Sequence, residues 1–275
     1  MVLNLQTSDT SRATQPFIEL LNVSKGFEDS SKQNGRQVLD RVSFQVARGE
    51  TVVVLGRSGV GKSVMLKHIM GFLEPDAGRV FVDGQEITGR SEEEMLPIRR
   101  KVTMVFQSGA LFDSLTVGEN IAFPLREKRT FGEEEIEERV STLLEQVNLS
   151  DIAGRMPSDL STGMKRAVAI ARALAAEPEA ILYDEPTTMV DPLMARTIGD
   201  LILKLKQQTH LTAIVVTHDM KLARKLADRV VFLVEGKVAY FGPMEGLNNL
   251  DHELIREFIL LDEVSLLESR RRPGR

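Results

Sequence analysis

The sequence contains no cysteine and no tryptophan, and only two tyrosines among 275 residues. Without thiols, disulfide frameworks, zinc ribbons and thiol nucleophiles are excluded. Without tryptophan, a platform that stacks single-stranded bases lacks its usual material. There is no excess of basic charge either. Thirty-five Lys and Arg against 40 Asp and Glu give a formal net charge of −5. A dedicated nucleic-acid binder usually carries a basic face, so nucleic acid is not an expected partner. Long apolar runs are also missing. Val52–Leu55 and Val230–Val234 fall far short of the ~18 residues of a membrane-spanning helix. The first 16 residues, MVLNLQTSDTSRATQP, are polar and lack the apolar stretch of a secretory signal. With 42% hydrophobic residues, the composition is that of a globular chain. The expectation is a chain that stays in the cytosol unless a partner holds it elsewhere.

What is present is an alternation of short apolar runs with helical patterns. Phe17–Val23, Val38–Val46 and Arg79–Val82 are β-rich, and Asp83-Gly84 supplies a turn. Thr51–Leu55, Val102–Phe106, Ala180–Tyr183, Ala213–Thr217 and Val230–Val234 are nearly continuous apolar runs. Buried parallel strands have this form, and each is expected to lead into a helix. Ile136, Val140, Leu143, Leu144 and Val147 lie on one helical face, as do Met164, Ala167, Val168, Ala171, Leu174 and Ala175. The pattern predicts an α/β fold: a mostly parallel core sheet, an antiparallel β part near the N-terminus and a helical insertion over about 113–176. Residues 1–16 are expected to form a loose arm, 17–246 the main domain and 247–275 a C-terminal extension ending in the basic tail Arg270–Arg275. Asp29–Arg36 has loop composition.

The chemistry begins at Gly56-Arg57-Ser58-Gly59-Val60-Gly61-Lys62-Ser63. This is G-x-x-x-x-G-K-S between a strand and a helix, the context in which that spacing cradles phosphates. A triphosphate needs several backbone N–H groups converging on it, and glycines let the chain wrap that closely. The following helix adds its positive end. Lys62 is the candidate for the β- and γ-phosphates, and the Ser63 hydroxyl for Mg²⁺. Val64, next in the chain, joins this candidate nucleotide-binding set.

A second signal is Ala180-Ile181-Leu182-Tyr183-Asp184-Glu185-Pro186. An apolar strand ends there in two carboxylates. Asp184 is placed to hold Mg²⁺ and Glu185 to act as general base toward a water. Adjacent strand residues point to opposite faces, so Pro186 is expected to turn the chain and bring both carboxylates to one cleft.

Leu160-Ser161-Thr162-Gly163-Met164 sharpens the reading. With the motifs above, and in the same order, it resembles the LSGGQ-type signature of the ATPase subunits of ATP-binding cassette (ABC) transporters. The resemblance covers essentially residues 17–246. It implies a P-loop fold of the ABC ATPase type, ATP and Mg²⁺ as ligands, and hydrolysis of ATP. It also implies a homodimer in which Ser161 and Gly163 of one chain face the γ-phosphate held by the other. Phe27 matches the aromatic that stacks on adenine, Gln107 the glutamine that touches Mg²⁺ or the lytic water, Asp191 the loop before the next helix, and His218 the histidine that contacts the γ-phosphate. Thr162 departs from the pattern where the family has glycine. A β-branched residue tolerates positive φ poorly, so the loop is expected to run with ordinary φ there. Met164, in place of glutamine, reads as a packing residue.

The stretch QSGALFDSLTVGENIAFPLRE from Gln107 to Glu127 resembles the Mce/Mla-type lipid transporter ATPases, as does Gly163-Met164. That resemblance implies a separate membrane permease, an MCE-domain lipid-binding partner and a peripheral position on the cytoplasmic face of the inner membrane. Ala110, Leu111, Phe112, Leu115 and Val117 are the candidate lining of a groove for a permease helix. Leu254, Ile255, Phe258, Ile259 and Leu260 are expected to form an amphipathic helix packed on the core or on the other subunit. The alternatives are an importer ATPase for amino acids or metals, a non-transport ABC ATPase, and a regulator that binds nucleotide without hydrolysis. The non-transport class needs a coiled-coil insertion or two fused cassettes, and neither is seen. The full set Lys62, Asp184, Glu185 and His218 argues against the regulator.

Overall fold

The structure is a computed structural model that describes residues 15–28, 35–247 and 249–260. Two sheets organise it. The smaller is antiparallel in the order β2-β1-β4-β5, from β1 (Ile18–Phe27), β2 (Arg36–Val46), β4 (Ala77–Val82) and β5 (Gln85–Glu86). The larger has six strands in the order β10-β9-β3-β8-β7-β6. These are β3 (Thr51–Leu55), β6 (Val102–Val105), β7 (Ala180–Asp184), β8 (Thr212–Thr217), β9 (Arg229–Val234) and β10 (Lys237–Gly242). All its pairings are parallel except β9 with β10.

The large sheet is buried on both faces, and its strands alternate between two cores. Val53 and Leu55 of β3, with Ile181 and Tyr183 of β7, enter one apolar cluster, while Val52, Val54, Ala180 and Leu182 enter the other. The first cluster joins the sheet to α3 (Val117–Lys128), α4 (Glu133–Gln146), α5 (Thr162–Ala175), α6 (Pro192–Thr209) and α7 (Met220–Leu226). The second joins it to the antiparallel sheet, α1 (Lys62–Ile69) and α2 (Glu92–Lys101). Because both faces are apolar, these strands read as unbroken hydrophobic runs. A four-residue helix, α8 (Met244–Leu247), follows β10.

Three helices, α3, α4 and α5, lie between the neighbouring strands β6 and β7. Side chains cap the first and the last of these, satisfying free backbone amides. Thr116 and Glu119 form a capping box on α3, and the Ser161 hydroxyl accepts from the Met164 amide at the start of α5. Asn120 is fully buried and bonds Phe112 twice and the carbonyls of Leu115 and Thr116. It fixes the turn that carries the chain into α3.

Two expectations change. The apolar pattern puts Val230–Val234 among the strands expected to lead into helices. In the structure β9 instead turns back at Glu235-Gly236 into the antiparallel β10, both turn residues taking positive φ. Val117, expected to line a groove, is fully buried in the helical layer as the first residue of α3. Near the C-terminus residues 253–260 are helical, with Ile255 fully buried and Phe258 edge-on to Phe232 at 5.0 Å. That stretch packs on the core of its own chain. Residues 1–14 of the arm, 29–34 of the polar loop and the tail Arg270–Arg275 lie outside the described residues.

Candidate functional site

The phosphate loop joins β3 to α1, and two glycines shape it. Gly61 caps α1 with φ of 104°, and a Cβ there would stand 2.6 Å from a Leu39 methyl and 2.8 Å from the Val38 carbonyl. Gly56 has no more room, because a Cβ would stand 2.6 Å from the Leu233 carbonyl of β9. The loop therefore wraps tightly between β2 and β9. Lys62 is buried and turns back into it, donating to the carbonyls of Gly56 at 2.7 Å and Arg57 at 3.1 Å.

The two carboxylates reach the same place by a backbone device. Asp184 ends β7, and Glu185 follows with φ of 48°, in the left-handed region. This reverses the alternation that would otherwise separate them. The Glu185 amide donates to the Val216 carbonyl at 2.9 Å, which anchors the turn to β8. Ser63 Oγ donates to Asp184 Oδ1 at 2.7 Å. Glu185 Oε1 lies 3.3 Å from Lys62 Nζ. Its Oε2 accepts from the Thr188 hydroxyl at 2.8 Å and lies 2.9 Å from His218 Nδ1.

Environment separates the two acids. Burial pushes the Asp184 carboxyl above the usual carboxylate range, and the neighbouring Glu185 charge adds to this against the Ser63 hydrogen bond. Glu185 is also penalised by burial. Hydrogen bonds from His218 and Thr188, with the charge of Lys62, outweigh that penalty and hold it below its ordinary value. The bond to Glu185 outweighs partial burial at His218 and raises the imidazole.

Lys62, Ser63, Glu185, Gln107 and His218 line one cavity of about 260 Å³, with Ser58, Gly59, Gly61 and Val64 on the loop side. Thr188 and Val38 line it too. Among the described residues no group of three His, Asp or Glu could hold a metal unaided. The Ser63–Asp184 pair offers one hydroxyl and one carboxylate. That donor set suits Mg²⁺, which usually takes few protein ligands and completes its shell with substrate phosphates and water. Loop amides, one buried cation and a hydroxyl–carboxylate pair together suit a nucleoside triphosphate.

The sequence profile described as "ABC transporter" matches residues 39–188. The chain belongs to the ABC transporter family. The methionine import ATP-binding protein MetN of Brucella abortus (strain 2308) is 41% identical over 229 residues, covering 83% of this chain and 60% of MetN. The chain thus spans about 60% of the length of such curated relatives. The intermembrane phospholipid transport system ATP-binding protein MlaF of Haemophilus influenzae is 40% identical over 233 residues, covering 85% of this chain and 86% of MlaF. The near-equal identities do not single out the Mla type. Among solved structures, the dimeric ATP-binding cassette MJ0796 in a post-hydrolysis state with ADP and Pi has a TM-score of 0.76 at 34% identity. It covers 82% of this chain, which covers 98% of it.

Other residues of the ABC pattern lie outside the cavity. Phe27 is exposed at the end of β1, opposite Arg36 of β2, whose guanidinium donates to the Gly59 carbonyl at 3.3 Å. Arg57 is exposed and pairs with Glu257 of the 253–260 helix at 3.4 Å. Val60 packs against the antiparallel-sheet core. Ser161 is exposed at the start of α5, and Thr162, the first helical residue, takes no positive φ. Gly163 is buried, and a Cβ on it would stand 2.0 Å from Met194 Cγ of α6. Asp191 caps α6, accepting from the amides of Leu193 and Met194.

Sequence reasoning passed over three residues. Thr188 was visible only as part of the turn after Glu185. Arg36 closes the Asp29–Arg36 segment of loop composition, whereas in the structure it is the first residue of β2. Arg166 carries no signal of its burial in the sequence, yet it is 3% exposed.

Proposed function

We propose that this chain binds ATP with Mg²⁺ and hydrolyses it to ADP and phosphate as the energy-coupling subunit of an ABC transporter. The observation that carries this is the convergence of Lys62 and Ser63 from α1, Gln107 after β6, Glu185 after β7 and His218 after β8 on one cavity, with Asp184 bonded to Ser63 beside it. The loop amides and Lys62 bind the phosphates. Ser63 and Asp184 hold Mg²⁺, which when bound supplies positive charge against the phosphate oxygens. Glu185 takes the proton of the attacking water. Thr188 and His218 both face Oε2, so once Lys62 turns from Oε1 to the phosphates that oxygen is open to the water. His218 and Gln107 position that water at the γ-phosphate.

The proposal extends to a homodimer, in which Ser161 and Gly163 of the second copy complete the site. The Ser161 oxygen accepts from the Met164 amide, which leaves its own proton free to donate. Asp191 stiffens the loop facing the second copy, and Phe27 stacks on adenine. The expected position is peripheral, on the cytoplasmic face of the inner membrane, beside a separate permease. Among the described residues no helix is long and apolar enough to cross a membrane.

For cargo we favour lipid, with an MCE-domain protein in the same system. Likeness to MlaF over most of both chains and the Gln107–Glu127 stretch support this. Likeness to MetN supports methionine as the second reading. The test is to purify the Glu185→Gln chain with its membrane complex in mild detergent and identify its partners by mass spectrometry. Recovery of an MCE-domain protein supports lipid. Recovery of a permease whose assembly binds radiolabelled methionine replaces it. Hydrolysis of ATP by the wild-type chain, lost in Lys62→Ala, tests the activity itself.

A further inference from the structure

Arg166 stands on the first turns of α5, five residues after the cap Ser161, and its guanidinium is buried; among the described residues no carboxylate lies within ion-pair distance, although the Asp184 charge acts on it from farther off. Nη1 donates to the Phe106 carbonyl at 3.0 Å and Nη2 to the Thr188 carbonyl at 3.2 Å, while Nε has no partner. Burying a guanidinium against two neutral carbonyls, with one N–H orphaned, is costly. An apolar residue would pack α5 against β6 and α6 more cheaply, so packing alone does not account for it.

The two carbonyls are informative. Phe106 immediately precedes Gln107, which lines the cavity. Thr188 donates its hydroxyl to Glu185 Oε2 and its amide to the Glu185 carbonyl. One rigid planar side chain therefore joins the helix headed by Ser161 to the backbone behind two of the groups assigned to the water. The fork of a guanidinium can hold two acceptors at a fixed spacing, and an ammonium holds them less strictly.

We propose that Arg166 is a positioning residue that locks Gln107 and the Thr188–Glu185 pair to the N-terminal end of α5, so that movement of that end is felt at the hydrolytic groups. Nucleotide binding itself, held by the phosphate loop, does not depend on it. The proposal rests on the ATPase reading above.

The test compares Arg166→Met, Arg166→Lys, Thr188→Val and the Arg166→Met/Thr188→Val double variant in the full chain. Steady-state ATPase gives kcat, and fluorescent mant-ATP titration gives the dissociation constant. Arg166→Met is expected to lower kcat by tenfold or more while the mant-ATP constant stays within twofold. Arg166→Lys is expected to recover part of kcat. In the Thr188→Val background the Arg166→Met loss should shrink, because part of it acts through Thr188. Three results overturn the proposal: kcat within twofold of wild type, losses that multiply in the double variant, or mant-ATP affinity falling in step with kcat. If Arg166→Met does not fold, Arg166→Lys decides. Lowered kcat at unchanged affinity supports the role, and unchanged kcat removes it. Lys62→Ala run in parallel separates this failure from failure of the ATPase reading, because an unaltered rate there sinks the reading itself.

Discussion

Lys62 Nζ lies 3.3 Å from Glu185 Oε1, so the cation assigned to the phosphates and the carboxylate assigned to the water neutralise each other across the cavity. Both are buried. A triphosphate entering the loop must draw Lys62 away from Glu185 and from the Gly56 and Arg57 carbonyls. On the proposed reading, Glu185 is thereby both the base and a competitor for the binding cation.

The first prediction follows from that double role. Glu185→Gln should lower turnover by about 10²–10⁴-fold, the usual worth of a positioned base. Its affinity for mant-ATP should be equal to or tighter than wild type, because a neutral amide competes less for Lys62. Lys62→Ala should lose affinity and turnover together. Looser nucleotide binding by Glu185→Gln would show that the Lys62–Glu185 contact does not oppose binding.

The second prediction concerns pH. His218 is raised above 6.5 by its bond to Glu185, and Glu185 is held below 4.5 despite its burial. The stabilisation from His218 is fully present below pH 6.5 and is lost as pH rises through its raised value. The stabilisation from Glu185 is present above pH 4.5 and is lost as pH falls through its lowered value. The charged pair therefore persists between those two folded-state values. His218 is about half exposed, so solvent screens the pair and the stability swing should stay under about 1 kcal/mol. NMR titration of His218 should give a midpoint above 6.5 that falls in Glu185→Gln. An unmoved midpoint would assign the shift elsewhere.

Legibility in the sequence divided along physical lines. Strand β3 coincides with Thr51–Leu55 because five buried apolar or β-branched residues leave no other period to read. The fold class and the order of motifs were readable for the same reason. Strand β10 was not, because it is a half-exposed edge strand of mixed polarity. The turn after Asp184 was anticipated from Pro186, but the residue that makes it is Glu185 itself, in a conformation no propensity assigns to glutamate. Arg166 was hidden by its type. Arginine is almost never fully buried unless paired, and enclosure of α5 by α3, α6 and β6 is a tertiary fact.

A third prediction tests Gly163 inside one chain. Its missing Cβ is the space taken by Met194, with only 2.0 Å to Cγ. Gly163→Ala should cost about 1–3 kcal/mol through overpacking between α5 and α6. Met194→Ala in the same chain should recover most of that. Urea unfolding of the four chains measures it. Full stability of Gly163→Ala alone would show that Met194 swings aside freely.

A fourth concerns the helix at 253–260. Ile255 is fully buried, whereas the Arg57–Glu257 pair beside it is exposed. Ile255→Ala should lower unfolding free energy by about 2 kcal/mol, the low end for a buried isoleucine. Glu257→Gln should change it by less than about 0.5 kcal/mol. The reverse ranking in denaturant melts would make the ion pair, not the apolar anchor, the fastening of that helix.

The last prediction concerns the permease. Of the apolar residues after Gln107, Val117 is core and Leu111 packs against it, while Phe112 and Phe123 remain 44% and 40% exposed with ring centroids 5.1 Å apart. Arg172 lies over Phe112 at 5.5 Å and donates to the Gly109 carbonyl. The pair is thus held in place from beneath. Two exposed aromatic rings on a braced turn offer an apolar seat, and an amphipathic helix of the permease is the occupant we expect. Phe112→Asp/Phe123→Asp should keep its melting temperature within a few degrees, since both rings are already partly in solvent. Basal ATPase should also hold, since neither ring lines the cavity. Co-purification with the permease should be lost. Retained co-purification in a folded, active double variant would move the docking surface away from this pair.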